Sequence, residues 1–233
     1  MHDAAPENPY EANEIWLDSE RITEAEGLPR GVTVTFKPTS VGNVVQLSSA
    51  GRYQNVQIDL GSAANCVVSL GSIRVAFGGL KISFVLNNGR VSSGAAVSVG
   101  DGTVFNGATH IIGALSDGVA VTIGRDCLFA SNVSVRGSSH HGLWDMDSGE
   151  LLNPEVGITV GDHVWVGNQV ILLNKAEIGS GSVVAARSIV NKRFVEQNAL
   201  LAGTPAAIRR SRVEWTNGFP KDNGAQPRNV PNR

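Results

Sequence analysis

The chain has 233 residues, 42% of them apolar, and a formal net charge of -2. That length buries the core of one large domain or two small ones, and the near-neutral balance lacks the basic footprint of a nucleic-acid binder. Two cysteines, Cys66 and Cys127, are too few for a disulfide framework and form no CxxC or Cys/His pair, so no metal is expected.

The 27 glycines, with 6% aromatic and 17% charged residues, point to short strands and tight corners rather than helices. No apolar run nears the ~18 residues of a membrane span. The acidic N-terminus has no basic-then-apolar signal pattern, so a cytoplasmic setting is expected.

In chain order, residues 1–40 carry EANEIWLDSERITEAEGLP, which reads as a polar cap or a short helix. From 41 to 98, VVQL, VQIDLG, VVSLG, IRVAF and KISFVL recur at loose intervals between Gly, Asn and Ser. They read as irregular early coils of a solenoid domain spanning 41–205. From Val99 a period of six sets in: VGDGTV, FNGATH, IIGALS, DGVAVT, IGRDCL, FASNVS, VRGSSH. It resumes at Pro154 as PEVGIT, VGDHVW, VGNQVI, LLNKAE, IGSGSV, VAARSI, VNKRFV.

Of these 14 first positions, 12 are Val, Ile, Leu or Phe, the exceptions being Asp117 and Pro154; an unpatterned chain of this composition would give about 6. The fifth position is small or β-branched, as at Thr103, Thr109, Val121, Cys127, Val133, Ser139, Val164, Val170, Ala176, Ser182 and Ser188. Each hexad therefore describes a flat strand and a sharp bend. Three hexads close a triangular coil of ~18 residues, and stacked coils pair in parallel about 4.8 Å apart. Cys127 falls on an inward position and reads as packing, not as a nucleophile. After the Gly203-Thr204-Pro205 corner, AAIRRSRV (206–213) is expected to form a short helix, with a mobile tail KDNGAQPRNVPNR behind it.

Between the two hexad blocks lies HGLWDMDSGELLN, an excursion over 141–153. Solenoids tolerate insertions where they leave the coil at a corner, and such loops often form the functional face. The stretch SSHHGLWDMDSGELLNPEVGITVGDHVWVGNQVIL resembles the hexapeptide-repeat acetyltransferases, in particular bacterial sugar and polysaccharide O-acetyltransferases. Later, GSVVAARSIVNKRF, AGTPAAIRR and Trp215 match further motifs of that family in the right order. The resemblance covers roughly residues 97–215. It implies an all-β, left-handed parallel β-helix, although parallel crossovers in nearly all other folds are right-handed.

The resemblance also implies acetyl transfer from acetyl-CoA to a hydroxyl of a sugar or polysaccharide precursor, in a homotrimer whose sites lie between subunits. The family's base histidine aligns with His141, while His140 falls on a variable position near the acceptor. Asp145 is the expected orienter of the ring, or else a brace for the loop, with Glu150 as an outside candidate. Ser139 stands where the family often has Asp. Coenzyme contacts map onto Asn168, Ala186, Asn191, Lys192 and Arg210; Ala207 replaces a common basic residue. Trp144 and Trp165 are expected near the acceptor, Trp165 alternatively beside the pantetheine arm or as surface filler, and His163 as structural or subunit-facing. A neutral imidazole suits proton abstraction near neutral pH.

Other readings fare less well on the same residues. A zinc hydratase on this fold needs three histidines with H-x4-H-like spacing, which His110, His140, His141 and His163 do not offer. A nucleotide-sugar pyrophosphorylase needs a Rossmann-like domain with a glycine-rich phosphate loop, and no such region is found in the sequence. A non-catalytic solenoid leaves the histidine loop unexplained. N-acetylation of an amino sugar or small amine is the alternative within the family.

Overall fold

A computed structural model describes residues 9–84, 86–87 and 90–218. Three sheets wind around one apolar core. The first has nine strands and includes Ala96–Val99, Ala120–Ile123, Ile158–Val160 and Glu177–Ile178. The second has seven and includes Arg74–Val75, Val104–Phe105, Leu128–Phe129, Trp165–Val166 and Val183–Val184. The third has seven and includes Val56–Gly61, Leu80–Ser83, Thr109–Ile112, Val133–Arg136, Ile171–Leu173 and Ile189–Val190. The chain visits first, second and third sheet in turn, and successive coils pair in parallel. Among the described residues, no helix is long and apolar enough to cross a membrane.

The hexad anchors build the core. All of Val99, Phe105, Ile111, Ile123, Phe129, Val135, Val160, Val166, Leu172, Ile178, Val184 and Val190 are buried. The two polar exceptions, Asp117 and Pro154, are exposed at places where the coil leaves its strand path. The small fifth positions also point inward, apart from Ser139, which is exposed because the chain has already left the coil. Cys127 is buried as expected: its thiol faces the Gly161 carbonyl at 3.2 Å, and burial pushes its pKa up to about 11. Left-handed backbone recurs at the corners, with Asn132, Gln169 and Arg187 stacked at successive second-to-third corners.

The coil length differs from expectation in the upper half. Thr159 pairs with Glu177, Trp165 with Val183 and Ile171 with Ile189, each 18 residues apart. Higher up, Val97 pairs with Val121, Val104 with Leu128 and Thr109 with Val133, each 24 apart. The extra residues are the corner 113–118 between third and first sheets. An insertion one repeat long leaves the phase of the pattern unchanged, so periodicity does not reveal it.

Both ends also differ. Residues 206–213 do not form a helix: Ala206–Arg210 is a strand, antiparallel to Leu200–Gly203 on the last edge of the second sheet. Helix propensity of AAIRR is outweighed because a helix would leave that edge's backbone unpaired. The solenoid also starts before residue 41. Glu14–Leu17 pairs in parallel with Val44–Leu47, and Val32–Phe36 with Val56–Gly61. The capping role falls to Pro9–Ala12, a single helical turn, and to Glu20–Ile22, which folds antiparallel over the first rung. The tail KDNGAQPRNVPNR lies outside the described residues.

Phe105 and Phe129 stack inside the core with ring centroids 5.0 Å apart, both fully buried. Phe129→Ala is expected to destabilise the fold by about 3–5 kcal/mol, read as a lower urea midpoint with an unchanged slope. A loss below 1 kcal/mol would contradict the packing described.

Candidate active site

The loop leaves the third sheet after Arg136. Ser138 is still buried, and its hydroxyl accepts the His140 amide at 3.0 Å. His140 takes a left-handed conformation, φ 65°, which turns the chain outward. Its ring is partly buried, and that burial lowers its pKa, helped by the charges of Arg136 and His141 and opposed by Glu155. His141 follows, exposed at the root of the loop. No side chain among the described residues hydrogen-bonds its imidazole.

The backbone of His141 is held firmly. Asn153 donates from Nδ2 to the His141 carbonyl and to Ser139 Oγ, both at 2.8 Å, and accepts the Leu143 amide on Oδ1 at 2.6 Å. One side chain thus closes the base of the loop. Beyond it the chain makes a small hairpin, in which the Leu152 amide meets the Leu143 carbonyl at 2.7 Å and the Asp145 amide the Glu150 carbonyl at 2.8 Å. Trp144 bridges Leu151 across this hairpin and stays 60% exposed.

Asp145 and His141 are not brought together by a hydrogen bond. Asp145 Oδ1 accepts the Asp147 amide, the Ser148 amide and Ser148 Oγ at 3.0, 2.7 and 2.9 Å. Those bonds, led by Ser148, hold its carboxyl below the usual range. The geometry is that of a loop brace. Glu150 is exposed and joins the hairpin through its backbone.

Two residues absent from the sequence-based candidates shape the pocket. Asn153 lies in the LLNP stretch quoted for the family resemblance, and that motif was its only signal. Glu155 had none: its Oε2 accepts the amides of Leu115 and Ser116 at 2.9 and 2.8 Å, across 40 residues of chain. The 113–118 corner is thereby tied to the returning limb of the loop. Between them lies a cavity of about 120 Å³, lined by Ser138, His140, His141, Asn153 and Glu155 among others.

The other candidates spread over the solenoid surface. Asn191 and Lys192 sit on the same edge as His141, between third and first sheets. They line a groove of about 640 Å³ with Lys175 and Arg193, and Asn191 also borders one of about 370 Å³ with Arg136 and Ser139. Asn168 and Ala186 lie on the second-to-third edge, where Asn168 Oδ1 accepts the Ser131 amide at 2.9 Å. Trp165 faces outward from the second sheet, 40% exposed, and Arg210 is exposed on its last strand. His163 is engaged by Trp215: the rings stack at 4.3 Å, Trp215 Nε1 donates to the His163 carbonyl at 2.8 Å, and His163 Nε2 lies 3.2 Å from the Trp215 carbonyl. Trp165 sits 6.2 Å from that same Trp215 ring.

No protein-family model matches the chain. The polysialic acid O-acetyltransferase of Neisseria meningitidis is 26% identical over 153 residues, covering 60% of this chain and 65% of that protein. The galactoside O-acetyltransferase of Escherichia coli K12 is 39% identical over 97 residues, covering 40% of this chain and 45% of that one. The chain spans less than two thirds of the length of these curated relatives. The crystal structure of the polySia specific acetyltransferase NeuO superposes with a TM-score of 0.56 at 24% identity, covering 91% of this chain and 88% of that one. The fold is the left-handed parallel β-helix, as the family resemblance implied. In sequence over part of its length and in fold over most of it, the chain is similar to the hexapeptide-repeat acetyltransferases, and resembles those that O-acetylate sugars and polysaccharides.

Proposed function

We propose that this chain transfers an acetyl group from acetyl-CoA to a hydroxyl of a sugar or polysaccharide precursor by direct attack, with His141 as general base. The observation that carries the reading is the exposed His141 ring on a backbone clamped by Asn153, above grooves with cationic rims. Acetyl-CoA supplies an acyl carbon already activated as a thioester, and an intracellular supply of it fits a cytoplasmic site of action. His141 takes the hydroxyl proton as the sugar oxygen bonds to the acyl carbon. The same imidazolium returns the proton to the departing thiolate as the C–S bond breaks, so no net charge builds up. Holding both substrates in line supplies much of the remaining acceleration.

Lys175 and Lys192 suit the phosphates of the coenzyme, and the small Ala186 leaves neighbouring backbone groups accessible to its amides. In one copy, His141 and the Asn168–Ala186 edge are separated by the width of the third sheet. Strand Thr109–Ile112 spans about 10 Å at ~3.3 Å per residue. A second copy laid against this face would bring one edge opposite the other. The outward side chains of Ile171, Leu173 and Ile189 on the lower third sheet favour such packing. The reading is therefore a homotrimer with shared sites.

Coupled thiol release with a panel of sugars and amines tests the reaction and its acceptor class together. His141→Ala is expected to lower kcat by about 10²–10⁴-fold with little change in KM for acetyl-CoA; equal rates on the best acceptor would remove His141 as the base. Asp145→Asn keeps an acceptor oxygen for the same three bonds and is expected to hold kcat within about threefold of the parent. A thousandfold drop in that variant would instead make Asp145 the orienter of the ring. Light scattering at micromolar concentration is expected to give the mass of three chains, and a monomer there would sink the shared-site reading.

A further inference from the structure

High on the second-to-third edge, away from His141, two open cavities of about 390 and 480 Å³ lie on either side of one corner. The same two chain stretches, 52–57 and 74–81, run through both. Their linings include three cations, Arg52, Arg74 and Lys81, and no carboxylate. That is unusual in a chain with 21 acidic and 19 basic side chains. Arg52 and Arg74 are partners across one parallel rung, which sets their backbones about 4.8 Å apart with like charges side by side. All three cations are exposed, and among the described residues none forms an ion pair. Asp59, farther along the neighbouring strand, is engaged by Thr35 Oγ1 and the Gly61 amide.

The rest of the lining is suited to hydroxyl groups. Gln57 Nε2 donates to Asn55 Oδ1 at 3.0 Å, which leaves the Gln57 oxygen, the Asn55 amide nitrogen and the Asn132 amide to accept and donate, and Phe77, 70% exposed, offers a flat apolar ring. Alternation of the strand turns Lys81 outward, while Leu80 and Ile82 fill the core. His110, next to Lys81 on the adjoining rung, has its pKa lowered by burial and then by Lys81 and Arg136, so the field here is positive. A single-stranded nucleic acid would use the same cations, amides and ring, but the formal net charge of -2 lacks the basic excess of such binders. A membrane surface would use the cations but not the amides that line the cavity beside Lys81.

We infer that this corner is a binding groove for an acidic glycan, with sugar carboxylates taken by Arg52, Arg74 and Lys81, sugar hydroxyls by the amides, and one ring face by Phe77. The inference rests on the acyl-transfer reading for its purpose: the groove lies on the same edge as Asn168 and Ala186 and would feed a long acidic acceptor along it. The coil stacking gives the groove its direction, because each rung repeats the last along the axis.

Binding is measured by calorimetry on the full chain without acetyl-CoA. The probes are oligogalacturonate, hyaluronan oligosaccharides and oligosialate, against malto-oligosaccharides, single-stranded DNA and phosphatidylserine vesicles. At least one acidic glycan is expected to bind more than tenfold tighter than every other probe, and more weakly as salt rises. Arg52→Gln with Arg74→Gln is expected to weaken that binding by roughly tenfold or more. If the double variant does not fold, Lys81→Gln, at an exposed and outward position, carries the same comparison. Acidic glycans binding no better than neutral ones, DNA or vesicles binding as tightly, or variants binding like the parent would each overturn the proposal. His141→Ala is expected to bind the glycan as the parent does, so failure of the acyl-transfer reading and failure of the groove give different results.

Discussion

Each backbone rung of this solenoid is hydrogen-bonded only to the coil above and the coil below, and everything else depends on that pairing staying in register. Register holds because one apolar side chain per hexad points inward and cannot be turned out without exposing a buried residue such as Phe129 or Val166. A coil of 18 residues satisfies this with three strands and three corners. The corners accept left-handed residues such as Asn132, Gln169 and Arg187, whose local cost is offset by the ladders they join.

A stack so regular forms a closed pocket around a projecting loop where a coil departs from the pattern. Both departures described above fall on the same edge: the 113–118 corner, and the loop between Arg136 and Ile158. Glu155 bonds one to the other, and Asn153 ties the loop to its own root. The outcome is a histidine on a flexible-looking segment whose backbone is nonetheless fixed from both sides. Rigid coils behind and a hydrogen-bonded hairpin in front would suit the proton-acceptor role proposed for His141.

Legibility followed the range of the interaction. His141 was legible because the end of a repeat and the start of an insertion are both local events. The sequence around Asp145 fits either an orienter of the ring or a brace for the loop, and its bonds to Asp147 and Ser148 are those of a brace. Glu155 acts across 40 residues and carries no local mark. The terminal strand Ala206–Arg210 departs from its local sequence for a related reason: the sequence favours helix, but the sheet edge beside it needs a partner.

By itself, the sequence determined the repeat unit, nearly all of the inward residues and an interruption of the coil around His141, because these are written in a period of six; the structure widens that interruption to the segment between Arg136 and Ile158. Only the tertiary structure decided how many residues each coil takes, where the solenoid begins, and which side chains close the loop. The added corner at 113–118 is one repeat long, so it preserves the phase of the pattern while changing which residues are neighbours. Stacking also joined Arg52 to Arg74 and set Lys81 around the corner from them. Such neighbours are fixed by rung pairing between coils, and a one-dimensional pattern holds no record of it.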